Sequence, residues 1–260
     1  FCTGGVVGSL AAGELCATPS GMASCGGGGG FSCGDSVSYG GESYPTVLIG
    51  TQCWLAKNLN VGTRVDSSDA SPCVDVWPNN GLWSCQVDPA LLEKYCYNND
   101  DNYCTTDGGL YEWAETMGLP YQCNYTDYNC DGINCNSQEY PDSYTDGGCT
   151  FPDPSVNEIQ GICPTGFHVP SDSELSDLET YLSPDPGTKL KEISWDGDSS
   201  SGFAALPTGL RNVGGWSSFR GDTTDIWSSV PRPGHPEGSW NYYLYSGYSE
   251  FFRTDNYRAY

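Results

Sequence analysis

Hydrophobic positions along this chain change their period several times, and those changes mark its elements. Tyr44-Pro-Thr-Val-Leu-Ile-Gly50 is a β-branched run closed by glycine, and Gln52 to Leu59 carries a second apolar run around Trp54. Both read as short strand segments. Leu110, Trp113 and Met117 recur at helical spacing, with Gly118 placed to cap the helix end. A second helix is signalled more completely. Ser171-x-x-Glu174 forms a capping box behind Pro170, Leu175, Leu178 and Leu182 make one apolar face, and Pro184 stops the run. After Lys191 the pattern becomes short aromatic strands separated by Gly and Pro turns.

Between these elements the chain is polar. Residues 66–105 read as loop with scattered cysteines, and residues 120–160 hold no period at all. So long a loop is uncommon in a compact domain unless it is functional or separately stapled, and Cys123, Cys130, Cys135 and Cys149 are there to staple it. Residues 1–34, with the unbroken run Gly26 to Gly30, predict a Gly/Cys-rich tail or stalk. Residues 35–260 then form one domain. Strand, helix, helix and a β-rich C-terminal half indicate an α+β fold with two helices and a loop-rich β core.

Cysteine usage sets the compartment. The 260 residues include 14 cysteines, with no Cys-x-x-Cys pair and only two histidines, His168 and His235. A structural zinc site needs four closely spaced Cys/His ligands, so the pattern points instead to a disulfide framework made in an oxidising compartment. Connectivity does not follow from spacing. Thirty-three acidic against ten basic side chains give a net charge of −23, which disfavours nucleic acid and anionic membranes as partners. No stretch approaches the ~20 apolar residues of a spanning helix. The chain opens with neither an initiator Met nor a signal peptide, as expected of a processed or truncated product. An extracellular or cell-surface location is expected. Eighteen Tyr and eight Trp argue against disorder in so acidic a chain.

Several ordered blocks carry a family resemblance. Tyr44-Pro-Thr-Val-Leu-Ile-Gly-Thr-Gln-Cys-Trp-Leu-Ala-Lys-Asn-Leu59 comes first. Cys96-Tyr-Asn-Asn-Asp100 with Cys104 and Gly109-Leu-Tyr-Glu-Trp113 follow. Cys163-Pro-Thr-Gly-Phe-His-Val-Pro-Ser-Asp172, Gly202-Phe-Ala-Ala-Leu-Pro-Thr-Gly-Leu-Arg211 and Trp227-Ser-Ser229 complete the set. Together they resemble the Fibrobacter succinogenes major paralogous domain family. Leu55 and Lys57 replace that family's usual Met and Glu, and residues 120–160 look like a Cys-rich insertion. The family's closing Gly-Phe-Ser-Val-Arg-Cys strand is absent before Tyr260, so the resemblance leaves a sheet edge open and Cys163 without its family partner. The resemblance implies a C-type-lectin-like fold, as in formylglycine-generating enzymes and retroelement-diversified receptors. In those receptors, aromatic C-terminal strands and loops carry the ligand. It also makes Cys96–Cys104, closing a short family-like loop, the best single disulfide pair.

Candidate chemistry lies in two places. Trp240, Tyr243, Tyr245, Tyr248, Phe252, Arg253, Asp255 and Tyr257 combine Tyr with Asn, Ser, Asp and Arg, the vocabulary of adaptable binding surfaces. Strand alternation sets against this a plain β-sheet in which half of the aromatics are core; Tyr243 and Tyr245 are expected to face opposite to Tyr242 and Leu244. Asp127, Asn129 and Asp131 followed by Gly132 match the first half of an EF-hand-type loop, which makes calcium the expected cofactor ion. Its second half is displaced, with Gln138 at the twelfth position and Glu139 one late, and a stapled acidic turn explains the run equally well.

His168 reads as a buried hydrogen-bonding residue, and Asn124-Tyr-Thr126 is a glycosylation sequon. Neither a nucleophile elbow, a phosphate loop nor a segment matching the formylglycine-generating active site appears, so catalysis is not expected. The leading expectation is a surface recognition module for a protein or glycan ligand. The alternative is a structural subunit of a surface filament or layer, joining identical copies through the tail or an open sheet edge. An enzyme comes third. If Asp127, Asn129 and Asp131 hold calcium, a chelator lowers the melting temperature by linkage to the folded state. Superimposable melts with and without chelator, after metal stripping, would remove that site.

Overall fold

The computed structural model describes residues 2–4, 15–18, 21–24, 31–67, 73–75, 83–88, 90–124, 143–146, 149–152, 158–212, 214–232 and 238–258. Its first sheet is antiparallel and five-stranded, built from β1 (Thr3–Gly4), β2 (Ser36–Tyr39), β3 (Glu42–Ile49), β4 (Gln52–Leu55) and β5 (Phe167–His168) in the order β5-β1-β4-β3-β2. A second sheet stacks β6 (Thr223–Pro231), β7 (Gly238–Tyr245) and β8 (Phe252–Tyr257) in sequence order, also antiparallel. Short two-stranded ladders complete the β structure, including Ser143–Asp146 with Cys149–Pro152 inside the expected insertion. The domain is thus mixed α+β and rich in disulfides.

Four helices occur among the described residues where two were expected. α1 (Asp101–Asp107) falls in the segment read as loop. It has no apolar face to announce it, and is held by the Asp100 side chain accepting from Asn102 N and by the Cys96–Cys104 bridge. α2 (Trp113–Met117) ends on Gly118 in the left-handed region, as its pattern indicated. α3 (Asp172–Leu182) has both halves of the capping box: Ser171 Oγ accepts from Glu174 N at 3.2 Å and Glu174 Oε2 accepts from Ser171 N at 2.8 Å. Its Leu175, Leu178 and Leu182 are buried, each contributing roughly 1.5–3 kcal/mol. α4 (Pro186–Leu190) follows after one turn, with Pro186 at its first position.

Residues 2–4 do not hang free of the domain. β1 lies between β4 and β5, with Thr3 opposite both Trp54 and His168. Cys2 is buried and bonded to Cys163, the cysteine whose family partner the resemblance left missing. Cys33–Cys53, Cys73–Cys85 and Cys96–Cys104 are the other bridges formed wholly within the described residues. No free cysteine and no helix long and apolar enough to cross a membrane occur among them. The Gly26 to Gly30 run and the candidate calcium ligands Asp127, Asn129 and Asp131 lie outside the described residues.

Two hydrophobic clusters form the core. One gathers Tyr44, Leu55, Trp113, Met117 and Phe167 around Cys2–Cys163, and Trp227 packs against its side. The other joins the leucines of α3 to Trp54, Phe203, Tyr242, Leu244 and Phe251. The C-terminal sheet therefore lies against both clusters.

Candidate functional site

The side-chain alternation of β7 decides what its aromatics can do. Tyr242 and Leu244 are fully buried against α3, while Tyr243 and Tyr245 point to the opposite face and are half-buried. The register places Tyr243 beside Phe252 on one side and Asp225 on the other. Tyr243 and Phe252 stack with ring centroids 4.9 Å apart and an interplanar angle of 17°. Tyr248, 52% exposed, meets Phe252 edge-on at 5.6 Å and Tyr245 at 5.8 Å. Such contacts favour offset or edge-to-face geometry and keep the rings ordered. Four aromatic residues thus make one continuous patch.

The other four candidates are not part of it. Trp240, Arg253, Asp255 and Tyr257 alternate onto the opposite face of the sheet, so the eight residues fall into two groups. Arg253 donates through Nε and Nη2 to the two carboxylate oxygens of Asp172 at the start of α3, at 2.7 and 2.9 Å, and covers the Trp240 ring at 3.5 Å. Asp255 is ion-paired with Arg232. These contacts fasten β8 to α3 and to Arg232. Tyr257 is 45% exposed on that face.

The turn carrying Tyr248 is fixed by residues that showed no signal in the sequence. Lys191 is buried and donates to the carbonyls of Tyr245 and Tyr248 at 3.2 and 2.8 Å. Asp196 accepts from Ser246 Oγ at 2.8 Å and Gly247 N at 3.2 Å. Gly187 N donates to Ser249 O at 2.6 Å, and a Cβ on Gly187 would strike the Glu250 carbonyl. A lysine in the charged run Lys189-Leu-Lys-Glu192 reads as an exposed charge until the carbonyls it satisfies are known.

Beside the aromatic patch lies a cavity of about 100 Å³. The outward face of β6 and β7 contributes Asp225, Trp227 and Asn241, and the facing wall includes Asn58, Tyr95 and Arg211. Asn241 Nδ2 donates to Asp225 Oδ1 at 2.7 Å, and Trp227 Nε1 donates to the Tyr111 carbonyl at 3.0 Å. Burial pushes the Asp225 carboxyl up to about 7, against the pull of Thr223 and Asn241.

Behind this wall is a polar network around Glu112, whose side chain is fully buried. Oε1 accepts from Tyr95 OH at 2.6 Å and Arg211 Nη1 at 3.3 Å; Oε2 accepts from Ser84 Oγ at 2.6 Å and Asn124 Nδ2 at 2.7 Å. Burial raises the Glu112 pKa, opposed by Arg211, Ser84 and Tyr95. Asn124, the sequon residue, is therefore buried and committed through both ends of its amide, since its Oδ1 also accepts from Ala114 N at 2.8 Å. A glycan on Nδ2 would break this network, which removes Asn124 as an acceptor in the folded protein. His168 is buried, with Nε2 2.8 Å from Glu174 Oε1 and Nδ1 3.6 Å from Glu158. No group of three or more potential metal ligands occurs among the described residues.

These features define a disulfide-stapled α+β domain whose C-terminal sheet presents an ordered aromatic face next to a polar cavity. Residues 47–257 match the family model of the Fibrobacter succinogenes major domain, and the chain belongs to that family. No curated protein and no solved structure matches it.

The ionisable groups give stability a definite pH dependence. Burial holds Glu115, like Asp225, up at about 7 in the folded state. Burial would lower His168, but Glu174 and Glu158 outweigh it and raise its pKa. For all three the folded pKa exceeds the unfolded one, so their stabilisation is complete below the unfolded pKa and lost as pH rises through the folded pKa. Glu42 and Glu174 are lowered against the effect of burial, Glu42 by Lys57 and Asn60 and Glu174 by His168 and Ser171, and lose their contribution as pH falls through their folded values. The melting temperature should therefore be highest near pH 4–5 and fall as pH rises to about 7, where Asp225 and Glu115 have ionised. Asp225→Asn should flatten that fall, and a melting temperature that rises from pH 5 to pH 7 would contradict the assignment.

Proposed function

We propose that this chain is an extracellular or cell-surface recognition module with a C-type-lectin-like fold, binding a protein or glycan through the aromatic face of its C-terminal sheet. The observation that carries this reading is the patch of Tyr243, Tyr245, Tyr248 and Phe252. Four aromatic side chains are ordered against one another on the face away from α3, and their turn is pinned from below by Lys191. Rigid Tyr and Phe rings give large contact area with little rotamer entropy left to lose, which is the economy of binding surfaces. Four disulfides and the absence of a membrane-spanning helix among the described residues are consistent with an extracellular setting. The charge of −23 directs the surface towards neutral or basic partners.

The test separates surface from core. Tyr243→Ala and Tyr248→Ala should each change stability by roughly 0.5 kcal/mol or less, whereas Tyr242→Ala should cost about 3–5 kcal/mol. On a printed array of glycans and extracellular proteins, wild-type protein should bind spots that a Tyr243→Ala/Tyr248→Ala/Phe252→Ala variant of near-native melting temperature does not. Identical binding patterns for the two, or uniformly large stability losses, would end the recognition reading.

A further inference from the structure

Asp225 is a carboxyl group that the fold leaves without a counter-charge. It lines the cavity from β6 and keeps part of its surface open. Its Oδ1 accepts from Asn241 Nδ2 at 2.7 Å. Its Oδ2 lies 3.5 Å from Thr223 Oγ1, but that hydroxyl has one proton and sits closer, at 2.9 Å, to the Leu244 carbonyl. One oxygen of the ionised carboxylate is therefore held and the other lacks a good donor. Asp225 forms no ion pair among the described residues, and no cation is among the groups that oppose the effect of its burial.

What fits is set by charge and by the rest of the lining. Arg211, on the facing wall, is already matched: it pairs with Glu112 at 3.3 Å, lies over the Tyr95 ring at 4.2 Å and donates to Ser67 Oγ at 2.6 Å. Ionised Asp225 then leaves the cavity one negative charge in excess, and the net charge of −23 draws cations towards it. The other titratable groups around it are Tyr243, opposite Asp225 on β7, and Tyr95 and Tyr111 in the wall. Burial raises the pKa of all three, so they stay neutral while Asp225 changes charge. The kind of cation follows from the free oxygen. A guanidinium fork needs both carboxylate oxygens, one of which Asn241 occupies, and a quaternary ammonium has no proton to donate. A primary ammonium is a point charge that one oxygen satisfies. Trp227, Leu110 and Leu210 line the same cavity and offer apolar surface to a methylene stem.

We propose that this cavity binds a primary alkylammonium group, its N–H donating to Asp225 Oδ2 and its methylene stem lying along Trp227, Leu110 and Leu210. Such a group ends a lysine side chain and a free polyamine alike. The site is distinct from the aromatic face and does not rest on it. Because the cation favours ionised Asp225, binding releases a proton wherever the free carboxyl holds one, and affinity rises with pH through about 7.

The probe is n-butylammonium chloride, with n-butanol, n-butylguanidinium and tetramethylammonium as controls. Each is titrated into the full chain and followed by ¹H–¹⁵N NMR. Butylammonium should shift the Asn241 side-chain amide and the Trp227 indole signals, bind more tightly than all three controls, and weaken at least about tenfold from pH 8 to pH 5. Asp225→Asn should abolish its binding, with the melting temperature recorded alongside; the pH dependence in wild-type protein tests the site even if that variant does not fold. No butylammonium shifts, equal binding of butanol, or affinity unchanged at pH 5 or in folded Asp225→Asn would each overturn the inference. The source of the ammonium is read on the array of glycans and extracellular proteins. Spots lost when the arrayed lysines are acetylated assign it to a lysine side chain, and spots retained assign it to a free amine. A chain that binds butylammonium through Asp225 but no arrayed spot would keep the cavity and end the recognition reading.

Discussion

A single carboxylate ties the parts of this domain together. Glu112 is fully buried, and each of its side-chain oxygens accepts two hydrogen bonds, from Tyr95 and Arg211 on one and Ser84 and Asn124 on the other. Those four donors come from four separate stretches of chain with little regular structure of their own. Its backbone N–H is also taken, by Gln86 Oε1 at 2.7 Å, and Gln86 in turn donates to the Glu93 carbonyl. Removing an ionised carboxylate from water costs several kcal/mol, and only a full set of donors together with a counter-charge offsets it. The loops are therefore ordered by the need to satisfy Glu112. Arg211 completes the arrangement by lying over the Tyr95 ring at 4.2 Å and donating to Ser67 Oγ at 2.6 Å.

The candidate site follows from that anchor. Tyr95 and Arg211 form part of the cavity wall facing the C-terminal sheet, so the Glu112 network fixes one side of the site. α3 and Lys191 fix the other through Tyr242, Leu244 and the carbonyls of the 245–248 turn. Arg258 closes the far end. It is buried over Trp113 at 4.7 Å, donates to the Cys123 carbonyl at 3.0 Å, and its own carbonyl accepts from Trp113 N at 2.8 Å. The aromatic face is thus an ordered surface on a braced sheet, its rings packed against one another.

How much of this could be read from the sequence depended on whether the signal was local. The α3 capping box and its leucine face were legible because three to seven residues carry the whole pattern. The opposition of Tyr243 and Tyr245 to Tyr242 and Leu244 was legible because strand alternation is a local rule. The division of the eight candidates between two faces was not, since it needs the register between β7 and β8. Helix α1 was missed because its exposed, polar residues have no apolar face, and Asp100 as its cap is an ordinary loop residue. The motif blocks were recognised as blocks, but nothing in their spacing said that Glu112 of one would meet Arg211 of another. Lys191 and Arg258 were invisible for the same reason: the carbonyls that justify burying them are far away in sequence. The burial of Asn124 was not legible either, because a sequon is a three-residue pattern that carries no information about burial.

The most direct test of the account is a double-mutant cycle on Glu112 and Arg211. Glu112→Gln keeps the shape but places N–H donors where donors already sit, and should cost about 3–5 kcal/mol, the penalty for breaking a buried pair. Arg211→Met should be comparably damaging alone, and the double variant should lose clearly less than the sum of the two, a coupling of roughly 0.5–3 kcal/mol. A Glu112→Gln protein within about 0.5 kcal/mol of wild type, or strictly additive losses, would show that the domain does not depend on this carboxylate.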